Sequence, residues 1–148
     1  VQRSKSVGKV EIKIGSNRYS VGTGFLFKIK GIEDLFFITN YHVINDKNYI
    51  ERTRIIFDYE LDIEGNTVPS RSFKIDETGP WYCSEIKEND ATIFKLIDED
   101  DRLAEYGWIE LKEIEIAQND FVNIIQHNIF IRISHKLTGL NFSNRNIC

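Results

Sequence analysis

Gly22-Thr23-Gly24-Phe25-Leu26-Phe27, followed by Leu35-Phe36-Phe37-Ile38-Thr39-Asn40-Tyr41-His42-Val43-Ile44, decides how the rest of the chain is read. Its first half is a strand opened by glycines. Its second is a strand of aromatic and β-branched residues, which favour pleated backbone. Between them, Lys30-Gly31-Ile32-Glu33-Asp34 is a turn, so the pair reads as a hairpin. The second strand runs into His42. A histidine mounted on a rigid strand end has a fixed ring, which is what proton-transfer chemistry needs. A second block lies 48 residues further on. There Asn89-Asp90 precedes the apolar run Ala91-Thr92-Ile93-Phe94. His and then Asp, each at a strand margin, is the order of two members of a Ser-His-Asp triad.

Outward from these blocks the same pattern repeats. Gly8 to Ile14 alternates apolar and charged residues, as a half-buried strand does. Gly15-Ser16-Asn17 is a turn, and Arg18 to Val21 returns from it as a strand. Asn40 is placed to cap a single helical turn through Ile44, its side chain accepting from the N–H groups that follow. Asn45 to Asn48 reads as a polar loop, Arg54 to Tyr59 as a strand and Glu64-Gly65-Asn66 as a turn. Ser72–Ile75 and Trp81–Ile86 are short candidate strands, and Ala91–Ile97 is a clear one. It ends in Asp98-Glu99-Asp100-Asp101, a solvated turn that is also the best place for an inter-domain linker. Beyond it, Tyr106 to Ile109, Ile114 to Ile116 and Phe121 to His127 are further candidates. No internal repeat is present and no helix of several turns is expected. Many short strands at close spacing indicate an all-β barrel or sandwich.

Composition narrows the function classes. The 148 residues are 41% apolar and 28% charged, a soluble globular balance. A net charge of −4 argues against nucleic acid or an anionic membrane as a general partner. No apolar run approaches the roughly 18 residues of a membrane-spanning helix. The chain starts at Val1 and holds no methionine, so its translation start is expected upstream. Cys83 and Cys148 are too few for a disulfide-stapled secreted domain of this size, which favours a reducing compartment such as the cytoplasm. With His42, His127 and His135 they show no ligand spacing, so neither a metal nor a cofactor is expected.

Val21-Gly22-Thr23-Gly24-Phe25, Ile38-Thr39-Asn40-Tyr41-His42-Val43, Asn89-Asp90-Ala91-Thr92-Ile93 and Phe121 to His127 together resemble the trypsin-like serine peptidases. The likeness is to the disulfide-poor branch with a Thr-Asn-x-His-Val block, and it covers about residues 7–127. It implies an antiparallel double β-barrel with the active site between the barrels. Residues 1–100 would be a complete first barrel carrying His42 and Asp90, and residues 101–148 part of a second barrel with an atypical tail. His42 would be the general base for a serine hydroxyl, and Asp90 would hold its tautomer. The implied partner is a polypeptide substrate.

The nucleophile is not in this chain. No Gly-x-Ser-Gly block occurs, and after His127 the sequence departs from the family into Asn128-Ile129-Phe130-Ile131. Ser134 and Ser143 have no flanking glycine, and Ser134 and its neighbour His135 would point to opposite faces of a strand. The chain is therefore expected to be truncated before the serine and inactive as it stands. The alternative is a non-catalytic homologue that binds an extended peptide ligand or a protein partner. A third reading is an unrelated all-β interaction module, which expects His42 and Asp90 to lie apart. Gly22 and Gly24 are expected to allow a bulge or close packing. His127 is expected to be structural, and Trp81, Trp108, Phe36 and Phe37 to be core.

Overall fold

The computed structural model describes residues 5–58 and 70–111. Among them are eight strands: β1 (Val7–Lys13), β2 (Tyr19–Ile29), β3 (Phe36–Thr39), β4 (Thr53–Phe57), β5 (Arg71–Lys74), β6 (Trp81–Ser84), β7 (Ala91–Phe94) and β8 (Ile109–Leu111). They form one sheet in the order β5-β4-β1-β2-β3-β7-β6, with β8 pairing separately with β2. Every pair is antiparallel except β2 with β8, which is parallel. The described residues are all-β, as expected, with only 3-10 helices between strands. The ladder of named strands is open, but its far parts meet. Ile75 bridges Leu96, Asp76 N–H donates to the Lys95 carbonyl at 2.9 Å, and Ile97 N–H donates to the Lys74 carbonyl at 2.9 Å.

Alternation sets which side chains enter the core. In β1, Gly8, Val10 and Ile12 are buried while Val7, Lys9 and Glu11 lie between buried and exposed; in β4, Thr53, Ile55 and Phe57 are buried. Both strands bury one face. β3 and β7 are buried along their whole length, because apolar layers lie on both sides of them. Phe37 and Phe94 belong to the larger layer with Val10, Leu26, Ile55 and Phe57. Phe36, Ile38, Ala91 and Ile93 belong to a second layer with Phe27. Phe37 is the hinge of the larger layer, its ring centroid 5.6 Å from that of Phe94 and 6.1 Å from that of Phe57. Burying such a ring stabilises the fold by about 2–3 kcal/mol.

Several local expectations need correction. The two strands expected on either side of Val21 are one, since β2 runs unbroken through Gly22 and Gly24. Gly8 and Gly24 are cross-strand partners, and a Cβ built on either meets the Phe37 ring. The glycines clear a seat for that ring, so of the two roles expected of Gly24 it is close packing, not a bulge, that applies. The polar loop after Asn45 contains a 3-10 helix, Lys47–Arg52, whose first turn is capped by the Asp46 carboxylate accepting from Asn48 N–H at 2.8 Å. Trp108 is not core: it is 41% exposed and carries Lys28 Nζ 4.3 Å from its ring centroid. An amphipathic lysine shields one face of the indole there.

The acidic run folds back onto the sheet. Asp98 accepts from Arg102 N–H at 2.8 Å and Leu103 N–H at 3.0 Å, starting the 3-10 helix Leu103–Tyr106. Leu103 and Tyr106 then enter the larger apolar layer, where the Tyr106 ring stacks on Phe57 at 4.6 Å. Burial, and next the Asp58 carboxylate, push the Tyr106 phenol above its ordinary 10.0, so the ring stays neutral at physiological pH. The expected turn at 64–66, the strands at 114–116 and 121–127, and the tail with His127, Ser134, His135, Ser143 and Cys148 lie outside the described residues.

Candidate active site

β3 and β7 are antiparallel neighbours, with Thr39 opposite Thr92. The end of β3 therefore meets the start of β7, and residues just beyond each share one margin of the sheet. His42 follows Thr39 by three positions and Asp90 precedes Thr92 by two. Strand pairing alone thus brings together residues 48 apart in sequence.

After β3 the chain makes one turn. The Asn40 carbonyl accepts from Val43 N–H at 3.1 Å and Ile44 N–H at 3.3 Å. The turn lies over β2 at Gly22, where an added Cβ would come within 2.5 Å of Val43 Cγ1. Gly22 is thus a packing glycine, and what it admits is the turn bearing His42. The other side is a second tight turn. Ser84 Oγ donates to Glu88 Oε2 at 3.1 Å and accepts from Asn89 N–H at 3.2 Å, while Asp90 N–H donates to the Glu85 carbonyl at 3.0 Å. These bonds hold Asp90 at φ 46°, in the left-handed region that Asp tolerates better than most residues.

The Asp90 carboxylate faces His42. Its Oδ2 lies 2.7 Å from His42 Nδ1, and its Oδ1 accepts from His42 N–H at 3.0 Å. A carboxylate beside Nδ1 selects the tautomer with the proton on that nitrogen, which leaves the lone pair on Nε2. The His42 side chain is 48% exposed and that of Asp90 18%, so the ring is open to a reacting group while its partner is shielded. The Asn40 amide nitrogen donates to Asp90 Oδ2 and to the Asp90 carbonyl, each at 3.2 Å. Thr92 Oγ1 donates to the Ile44 carbonyl at 2.7 Å, and Thr39 Oγ1 to the Thr23 carbonyl at 2.7 Å. The histidine turn is fastened at both ends to the segment that carries its acid.

The structure thus brings His42 and Asp90 together, which the unrelated-module reading does not expect. Among the described residues no group of three or more His, Cys, Asp or Glu is arranged to hold a metal ion. Asn40 was expected to cap through its side chain. Its backbone carbonyl closes the turn instead, and its amide donates to Asp90. Thr92 carried no sequence signal for its tie to Ile44, because a Thr in a strand suits the pleat equally well without one.

No protein-family model matches this chain, and no curated protein does. Among solved structures, the crystal structure of Deg5 is similar to it, with 23% identity, a TM-score of 0.39, and coverage of 67% of this chain and 40% of that one. The chain spans less than half the length of that structure's chain.

Proposed function

We propose that the chain carries the His–Asp half of a trypsin-like serine endopeptidase site, on the first of two β-barrels. The observation that carries the reading is the 2.7 Å contact between His42 Nδ1 and Asp90 Oδ2, made by a histidine side chain that is about half exposed. The order of the blocks and the run of strands support it. In this reading His42 Nε2 takes the proton of a serine hydroxyl as the oxygen attacks a peptide carbonyl, then gives it to the leaving amine. Asp90 stays ionised, fixes the ring and stabilises the imidazolium. The serine belongs to a Gly-x-Ser-Gly turn whose backbone N–H groups face the developing oxyanion. The 148 residues hold no such block, so this chain by itself is not expected to cleave peptides. The same observation favours, as second reading, a homologue that keeps the site's architecture and binds extended peptides.

The coding DNA past Cys148 separates the two. A Gly-x-Ser-Gly block there, in any frame, is the expected result. The correspondingly extended protein should then label with a serine-directed phosphonate, and His42→Ala should cut the labelling rate by about a thousandfold or more. If no frame encodes the block, the hydrolase reading is lost and peptide binding replaces it.

A further inference from the structure

We infer that Asn40 is a positioning residue for Asp90, and that its amide sets the tautomer of His42. This deepens the proposed function and rests on the His42–Asp90 pair. Asn40 is fully buried, and its amide nitrogen meets two acceptors of one residue, the Asp90 side chain and the Asp90 carbonyl. Two donor hydrogens on one planar group thus fix both the backbone and the carboxylate of Asp90. That double hold matters because the other contacts of the carboxylate, at Oδ1 and Oδ2, are with His42 itself, so Asn40 supplies the fixed point outside the pair. Oδ2 is also the oxygen facing His42 Nδ1, so Asn40 and His42 share one acceptor. Without the amide, the carboxylate is held only by His42, through its N–H on Oδ1, so Oδ2 can turn off Nδ1 and the imidazole can take the Nε2–H form preferred in solution. Asn40 touches no reacting atom and acts only through Asp90.

The test uses the 148-residue chain, with nitrogen-15 NMR of the His42 ring above its titration. In the unaltered protein Nδ1 is expected to carry the proton. Asn40→Ala is expected to shift the ring towards the Nε2–H tautomer and to speed exchange of the His42 backbone N–H, which donates to Asp90 Oδ1, by about tenfold. Thr92→Val is the control. It removes a buried hydrogen bond from the same turn without touching Asp90, so it should lower stability while leaving the tautomer in place. Should Asn40→Ala fail to fold, Asn40→Leu keeps about the same volume, removes both donors and should give the same tautomer change. If these variants keep Nδ1 protonated, or Thr92→Val changes the tautomer equally, Asn40 is not the positioning residue. If the unaltered protein already holds Nε2–H, the His42–Asp90 pairing itself is refuted, which is a separate failure.

Discussion

Asp90→Asn is expected to fold and to hold His42 in the wrong tautomer. Asn tolerates left-handed backbone as well as Asp does, so the turn at φ 46° survives. One amide oxygen still accepts from His42 N–H, as Oδ1 does now. The amide nitrogen then takes the place of Oδ2, where it faces two donors, His42 Nδ1–H and the Asn40 amide. Donor against donor is resolved most cheaply by moving the imidazole proton to Nε2, so that Nδ1 accepts. The ring then has no lone pair on its exposed side. In a protein that also holds the serine, the loss in kcat should be about 10⁴-fold. In the present chain the change is read directly from the nitrogen-15 shifts of the ring. A ring that still carries its proton on Nδ1 in Asp90→Asn would remove Asp90 from the role assigned to it.

The second large effect is structural. Gly24→Ala is expected to destabilise the fold by about 3 kcal/mol, at the upper end of what overpacking costs. The added methyl meets the Ile38 carbonyl and the Phe37 ring. Neither can retreat: Ile38 lies in β3, whose ladder with β2 pairs Gly24 with Thr39, and Phe37 is enclosed by Phe57 and Phe94. The thermal midpoint should fall by on the order of 10 °C. Gly15→Ala is the comparison, since a methyl there comes no nearer than 3.6 Å to the Arg18 side chain and should change little. Equal midpoints for the two variants would show that β2 and β3 can separate enough to admit the methyl.

The sequence was legible where a single strand carries its own pattern. β1 announces itself by alternation, and β3 and β7 by continuous apolar runs, because their burial depends on residue type and period alone. The pairing of His42 with Asp90 was legible from their order at two strand margins, and the resemblance to a family strengthened it. Other features depend on what lies opposite. Gly24 suits a bulge or close packing equally until the Phe37 ring is seen across it, and Trp108 looks like core until Lys28 is found over an exposed indole. Asn40 has the composition and position of a cap, and only the register of β3 against β7 turns its amide towards Asp90. The seat at Gly22 is the same case, since Val43 reaches it through a turn whose path the local sequence does not specify.

The tie between residues 40–44 and 90–92 also sets an order in time. The β2–β3 and β6–β7 hairpins close over short stretches of chain, whereas the Asn40–Asp90 bond joins residues 50 apart. Long closures carry the larger entropy cost and form once nearby pairings have shortened the search. As the chain leaves the ribosome, His42 emerges well ahead of its acid and remains an ordinary solvated imidazole. It meets the Asp90 carboxylate only when β7 docks along β3, so the fixed orientation of the ring waits on that long closure.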